Sequence, residues 1–590
     1  MGAKGSCLVL TSYWERIRIH HVIALVLAVA VGLLAALGAV GFRLLIAVFQ
    51  GVIWPGSGDF AERVAHAPWW LILFAPALAG LIVGPIIHRF APEARGPGVA
   101  EVIKSVARDR SKIRHRVTAF KAMVTSLLIG AGASVGREGP VVQIGASLGS
   151  SMAQLLGLSS DLRRALLASG AAAGIAATFN APIAGTLFAV EIILLDINVS
   201  YITLIIVASV TGSVFARHLW GDLPSLAAGG FTLEHGWELG LYLLLGMLAG
   251  LVAVVFIRLL FGLDKLFTRA PLPNWSTPAL GGLLLGTLAL FLPQVLGVGY
   301  STVNMAVAGS LTLTLAVAIL GAKLLATALC IGSGMSGGVF APSLVLGASL
   351  GAATALAVNT MFPELGLDPG HYALAGMGAV VAGTTLAPIT AILTIFELTS
   401  SYQVILPVMA ACIAASGTAR WLSGYSVYER KLLAQGMNII RGHDVSVLRC
   451  MSVSDVMITS YESLSVDNSA LTVLKRVINS PYAHFPVLDR KGRLAGVLSA
   501  RDLRPALEDI NDLEGIAIAA DIMTPKSITL KTSDNLETAL DLFNRFRISF
   551  APVTDPHDPT KIEGILKRED LMSAYQERIF KDRMLSCPLK

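Results

Sequence analysis

The sequence predicts a multi-span α-helical membrane protein built from two repeats of interrupted helices, followed by a soluble α/β tail. Three observations carry that prediction. Hydrophobic residues make up 54% of the 590-residue chain and charged residues only 14%, which excludes a disordered or ordinary soluble protein. Residues of the first half recur in the second at an offset of 202. Lys121, Thr125, Ile129, Gly130, Gly132 and Pro140 return as Lys323, Thr327, Ile331, Gly332, Gly334 and Pro342, and Gly145-Ala-Ser-Leu-Gly149 returns letter for letter as Gly347-Ala-Ser-Leu-Gly351. Beyond about Gly424 the apolar runs give way to alternating apolar and charged sequence that could not span a bilayer.

The first apolar run, Val22–Leu45, follows Arg16, Arg18, His20 and His21 and reads as a retained first span rather than a cleaved leader. Trp69–Ile87, Gly240–Phe261 and Pro278–Leu292 also read as spans. Gly139–Leu156, Ala181–Leu195, Phe340–Val358 and Ala387–Ser400 read as too short, or too interrupted by Gly and Pro, to cross a hydrocarbon core of roughly 30 Å. Such helices are tolerated at depth where they are buried in protein or line an aqueous cavity. The repeat continues through them: Gly170, Ala181-Pro182 and Glu191 match Gly376, Ala387-Pro388 and Glu397 at an offset of 206. Interrupted apolar segments at matching places in two halves point to a transporter binding site. The expected organisation is a membrane domain over 1–440 and a tail over 441–590, with repeats at about 22–228 and 238–430 and a boundary near Gly229–Glu238.

The net charge of +6 is spread over short loops, as membrane topology requires, and reads against nucleic-acid binding. Cys7, Cys330, Cys412, Cys450 and Cys587 have neither disulfide-framework nor metal-ligand spacing, so no metal is expected. No nucleophile–base pair appears in the spans, which reads against an enzyme.

The chemistry centres on Glu138, a carboxylate at the start of an apolar helix in the first repeat with no counterpart in the second. A charge at membrane depth costs roughly 2.5–3.5 kcal/mol on insertion scales and marks a functional position. Pro140 and Pro342 suit the first turn of a helix, because proline lacks the N–H that would be orphaned there. Two helices opening at Glu138–Pro140 and Phe340–Pro342 would present free N–H groups and positive dipole ends. That arrangement holds an anion without a full positive charge, weakly enough to let it leave.

Gly136-Arg-Glu-Gly-Pro140 with Val142-Gln-Ile-Gly145, and Gly337-Gly-Val-Phe-Ala-Pro342, resemble two signature motifs of the CLC chloride channel and transporter family. Gly96-Pro-Gly-Val-Ala-Glu101 is similar to a third, usually Gly-Ser-Gly-Ile-Pro-Glu, and Asn180-Ala-Pro-Ile-Ala-Gly185 fits the same family. The resemblance implies a homodimer, each subunit holding its own anion pathway between two inverted halves, and with no other targeting signal read in the sequence a cell (inner or plasma) membrane is expected. It implies bound chloride, no required cofactor, and Glu138 as the external gating glutamate that plugs the site when ionised and swings away when protonated. By the same resemblance Pro97, Gly98, Arg137, Gly139, Val339, Phe340 and Tyr428 surround the anion, with Tyr425 the rival to Tyr428 in register and Arg137 weighted towards an ion-pair role. Pro97 stands where the family usually has an ion-contacting serine, a replacement associated there with nitrate preference. Ile192 stands where well-known family transporters have an internal proton-relay glutamate. The reading is therefore an anion–proton exchanger moving chloride or nitrate, with a passive chloride channel gated by Glu138 as the alternative.

The tail carries two similar modules, about 445–510 and 515–578. One contains Val453–Met457, a helix over Leu471–Ile478, His484–Asp489 and Gly496–Asp502; the other contains Ala520–Met523, a helix over Leu536–Phe546, Phe550–Val553 and Gly564–Asp570. They resemble a paired CBS domain, a cytoplasmic appendage in the family. Ser499 and Asp502 fit its pattern for the phosphate and ribose of an adenine nucleotide such as ATP or AMP. The second module keeps Asp570 but has Lys567 where the hydroxyl is expected.

Overall fold

The computed structural model describes the backbone except residues 1–2, 108–110, 196–198, 222–235, 436, 438–450, 481, 500–502, 504–516, 526–527, 547, 557 and 586–590; the side chains of 3–21, 199–200, 220, 576 and 578–585 are likewise outside the description. Most of the expected repeat boundary near Gly229–Glu238 therefore lies outside the described residues. The chain divides into two compact units, Met1–Asn438 and Ile439–Lys590.

In the first unit, apolar composition and helix-starting prolines give an all-helical fold. One half runs α1 (Ala3–Ile53), α2 (Phe60–Ala65), α3 (Trp69–Phe90), α4 (Gly98–Ala107), α5 (Arg116–Gly130), α6 (Glu138–Leu155), α7 (Ser160–Phe179), α8 (Pro182–Phe188, continued by a π-helical turn over Ala189–Leu194) and α9 (Val199–Trp220). The other runs α10 (Glu238–Arg269), α11 (Thr277–Phe291), α12 (Tyr300–Val307), α13 (Leu313–Gly332), α14 (Phe340–Met361), α15 (Pro369–Thr385), α16 (Pro388–Thr399), α17 (Ile405–Ser423) and α18 (Val427–Ala434). Equivalent helices pack alike: α6 on α7 as α14 on α15, and α7 on α9 as α15 on α17. The halves meet where α3 crosses its counterpart α11 and α8 meets its counterpart α16.

The repeated Gly-Ala-Ser-Leu-Gly explains itself here. A Cβ on Gly145 would strike the carbonyl of Gly170, and one on Gly149 the carbonyl of Leu166. The copies at Gly347 and Gly351 face the carbonyls of Gly376 and Tyr372 in the same way. Both crossings are backbone on backbone, as small residues allow between membrane helices.

Among the described residues seven helices are long and apolar enough to cross a membrane. Two differ from the sequence expectation. The run at Pro278–Leu292 forms only the 15-residue α11, about 22 Å long and short of the bilayer core. The run at Phe340–Val358 continues to Met361, giving a 22-residue α14 of about 33 Å; 78% of its apolar window is buried inside the protein.

The second unit holds two small sheets. In the first, β1 (Leu464–Ser465) pairs parallel with β2 (His484–Leu488), which pairs antiparallel with β3 (Leu494–Ser499) and through it with β4 (Thr524–Pro525). The second repeats the pattern with β5 (Leu530–Lys531), β6 (Phe550–Thr554) and β7 (Ile562–Lys567). The helices are α19 (Ala470–Asn479), α20 (Ala519–Ile522), α21 (Leu536–Phe546) and α22 (Arg568–Leu585). The modules exchange their leading segments. Val453, at the head of the first, packs in the core of Leu530, Leu536, Phe543 and Val553, and Ile458 bridges to Ile565 of β7. Ala519, at the head of the second, packs with Leu464, Phe485 and Leu498, and β4 extends the first sheet. Each module thus buries apolar surface that belongs to the other.

Candidate anion-binding site and gate

Gly136 and Gly338, equivalent residues of the two repeats, exchange both backbone hydrogen bonds, N–H to O at 2.7 Å each way. Such a pair forms where two strands run antiparallel, so equivalent residues are related by a local two-fold. Glycine is required. A Cβ on Gly136 would strike Glu138 Oε2 and crowd Pro342, and one on Gly338 would strike the backbone N of Gly139. Two residues on, α6 and α14 begin. The bridge therefore sets their N-termini side by side. A second bridge, Gly96 to Ser336, brings up α4, with the Gly96 N–H donating to the Met335 carbonyl at 3.2 Å. Gly98 at the start of α4 lies against the Gly139 carbonyl and Gln143.

Glu138 is 1% exposed and reaches across to the opposite half. Its Oε2 accepts from the Ala341 N–H in the first turn of α14 at 3.3 Å. Its Oε1 accepts from the Tyr300 hydroxyl at 3.1 Å, and Arg137 Nε lies 3.8 Å from the same oxygen. Pro140 and Pro342 are the third residues of their helices, so neither brings an N–H that would need an acceptor. A carboxylate thus sits at the mouth of α14, where unpaired N–H groups and the helix dipole favour negative charge.

The remaining expected residues fall around this point. Val339 precedes α14 and Phe340 opens it, its ring packed against Phe179 at 5.7 Å and Phe188 at 6.2 Å. Arg137 caps α6, its guanidinium 4.8 Å from the Tyr300 ring centroid. Pro97 lines a cleft of about 260 Å³ together with Glu101, Asp264, Lys431 and Gln435. Tyr428 on α18 is 2% exposed and within electrostatic range of Glu138, and its hydroxyl makes no hydrogen bond among the described residues. Tyr425, its rival in register, is 39% exposed.

Buried charges hold the frame. The Lys121 ammonium, fully buried, donates to the carbonyls of Ala94 at 2.9 Å and Gly96 at 3.0 Å. Its repeat mate Lys323 donates to Val295 and Gly297, both at 2.9 Å. Each lysine pins the loop that feeds a helix N-terminus, α4 in one half and α12 in the other. Glu191 accepts from the Ile389 and Thr390 N–H groups of α16, and Glu397 from the Ile183 and Ala184 N–H groups of α8. Each glutamate caps the other half's helix. Sequence reasoning had treated both lysines only as marks of the repeat and had missed Tyr300 altogether. The signal for Tyr300 was the echo of Gly96-Pro-Gly98 in Gly297-Val-Gly299, which makes it the counterpart of Val99.

In the tail, Ser499 ends β3 and is half-buried, while Asp502 lies outside the described residues. Lys567 ends β7 with its ammonium 5.1 Å from the Tyr482 ring centroid. Asp570, in the first turn of α22, has a buried Oδ2 with no hydrogen-bond partner.

The family model of the voltage-gated chloride channels matches residues 79–420. The chain belongs to that family. CBS-domain models match 453–509 and 519–577. The H(+)/Cl(-) exchange transporter ClcA of Cronobacter sakazakii is 36% identical over 68% of this chain and 88% of its own length. ClcA of Yersinia pestis (strain Angola) is 35% identical over 69% of this chain and 86% of its own. The crystal structure of a slow cyanobacterial Cl−/H+ antiporter aligns at a TM-score of 0.63 with 29% identity, covering 70% of this chain and 99% of that one. A eukaryotic CLC transporter aligns at 0.63 with 21% identity over 93% of this chain and 98% of its own, a likeness of fold.

The lysine ties make a stability prediction. Lys323→Met leaves the Val295 and Gly297 carbonyls without a donor, and Lys121→Met leaves that of Ala94 without one and that of Gly96 with only the long 3.5 Å contact from the Gly337 N–H, at about 1–3 kcal/mol per group lost. Both variants are expected to unfold several degrees below wild type in detergent thermal scans. An unchanged melting temperature in either counts against the tie.

Proposed function

We propose that the protein exchanges a small monovalent anion for protons across a cell membrane, with Glu138 as both plug and proton carrier. The observation that carries this reading is the Glu138 carboxylate resting on the N-terminus of α14, where a free anion would be bound. A carboxylate there competes with the transported ion. Once protonated it has lost the charge that α14 holds, and the same N–H groups are released to the ion. Relatives whose names declare H+/Cl− exchange support chloride as that ion. Around it we place Pro97, Gly98, Arg137, Gly139, Val339, Phe340 and the hydroxyl of Tyr428. The transport domain is taken as 1–440, and the work done is transport rather than catalysis of a chemical conversion.

One observation favours a passive channel as the second reading. Ile192, 1% exposed, occupies the place of the internal proton glutamate, so no side chain there can relay a proton.

Pro97 has neither hydroxyl nor N–H to offer an anion, which supports nitrate as a second substrate. The chain is proposed to work as a homodimer. The faces of α8, α9, α16 and α17 leave Ile183, Ile206, Ile389, Leu406 and Ile413 exposed, an apolar surface fit for a second copy within lipid. The CBS pair, 441–590, is proposed to lie in the cytoplasm and to hold an adenine nucleotide through Ser499, Asp502 and the unpartnered Asp570.

Purified protein in liposomes under a chloride gradient is expected to drive protons uphill. Glu138→Ala should keep anion flux and lose the proton movement; brisk chloride flux without pumping in wild type establishes the channel instead. Pro97→Ser restores a hydroxyl donor and is expected to raise the chloride-to-nitrate flux ratio by about tenfold. An unchanged ratio removes Pro97 from selectivity. Native mass spectrometry of the full-length protein with ATP or AMP is expected to show two 62.0 kDa chains carrying nucleotide, the nucleotide being lost in Asp570→Ala. Single chains, or chains without adduct, count against those two assignments.

A further inference from the structure

We infer that Tyr300 is the latch of the gate: a positioning residue whose hydroxyl holds the Glu138 carboxylate in the anion site and sets how readily acid releases it. The inference deepens the gate reading of Glu138 and rests on it.

Symmetry supplies the first argument. The counterpart of Glu138 in the second repeat is Phe340, and the counterpart of Tyr300 in the first is Val99. Near the site the first half thus departs from its twin at Arg137 and Glu138, where the second has Val339 and Phe340, and the second departs at Tyr300; the carboxylate and the hydroxyl are hydrogen-bonded to each other at 3.1 Å. The contact has no equivalent in the other half, so the fold's symmetry does not require it. Its place is the site where the gate must act asymmetrically.

Rigidity supplies the second. Tyr300 opens α12 directly after Gly299, whose φ of +95° is a conformation that glycine adopts freely. A Cβ on Gly299 would strike Val345 and crowd the Lys323 ammonium. Lys323 in turn holds the Val295 and Gly297 carbonyls of the same loop. The tyrosine is therefore delivered by a segment tied at two carbonyls, and the Arg137 guanidinium covers its ring. A hydroxyl so placed donates to the carboxylate without having to be ordered first.

Charge supplies the sign. The groups facing Glu138 are Arg137 beside it, Tyr300 on α12 and Tyr428 on α18, with Arg43 on α1 acting on Arg137 and Tyr300 from the next layer. A hydrogen bond donated to the ionised carboxylate favours the plugged state over the protonated, released one. Without it, release needs less acid.

The test is anion flux in liposomes as a function of external pH for Tyr300→Phe, which deletes one oxygen. The acid-activation midpoint is expected to move up by about one pH unit, a tenfold change in the release equilibrium, with proton coupling retained. A merely structural role would lower flux at every pH and leave the midpoint in place; an unmoved or lowered midpoint overturns the latch. Tyr300→Leu removes the same hydroxyl and is read in the same way if the Phe variant fails to fold. In the Glu138→Ala background Tyr300→Phe should change nothing, because there is no carboxylate to hold; a pH-midpoint shift there also overturns the latch. Glu138→Ala alone that still pumps protons overturns the gate reading itself, so the two failures are distinguishable.

Discussion

The two hydrogen bonds exchanged by Gly136 and Gly338 are the constraint on which the membrane unit depends. An anion brought into an apolar interior loses its hydration and must find donors there. One helix N-terminus offers about half a unit of positive charge and a few free N–H groups. The glycine bridge sets two such ends next to each other and admits a third through Gly96 and Ser336. The positive field at this point is thus mostly that of backbone N–H groups, with the Arg137 guanidinium 3.8 Å from the Glu138 carboxylate at its side. A side chain at Gly136 would displace the Glu138 carboxylate, so the bridge and the seat of that carboxylate are a single steric arrangement.

Two fully buried ammonium groups look costly in such a frame, and isolated they would be. Each is hydrogen-bonded to two carbonyls of a loop that ends in a helix N-terminus. Carbonyl oxygens turned onto Lys121 and Lys323 are oxygens not turned toward an anion. The lysines thus act at one remove from the site. They keep the acceptor side of each loop occupied and leave the N–H groups of the helix that follows unopposed.

Much of this was legible in the residues. The fixed offset between Lys121 and Lys323 marked the repeat, and Glu138 stood out as the carboxylate that the second copy lacks. The paired Gly-Ala-Ser-Leu-Gly segments announced close helix crossings. What could not be read was any contact between residues far apart in the chain that breaks the repeat. Tyr300 and Glu138 are 162 positions apart and neither has a polar twin, so periodicity gave no reason to join them. The end of α14 was misjudged because Asn359, Thr360 and Met361 continue the helix past the apolar run that stops at Val358, and α11 because its apolar run has only 15 residues before the proline at 293. In the tail, the segments opening each module were visible, but their exchange between the two cores depends on strand partners the sequence does not order.

The acids of the membrane unit divide by what holds them, and the division bears on how protons are carried. Glu191 spends both oxygens on α16, with the Thr390 hydroxyl as a third donor at 2.6 Å. Glu397 spends both on α8. Each carboxylate thus spends both oxygens on holding the first turn of the other half's helix. Glu101 is bound by Lys431, Lys104 and Gln435 at the edge of the Pro97 cleft. Glu138 differs in kind. It is held by one backbone N–H, one phenol hydroxyl and a guanidinium 3.8 Å away, so only one of its contacts belongs to a helix end. Among these acids it is the one whose contacts come from three different segments, Arg137, α12 and α14. That difference is what the proposed gate requires: a carboxylate on the α14 N-terminus that no second backbone donor of that helix locks in place.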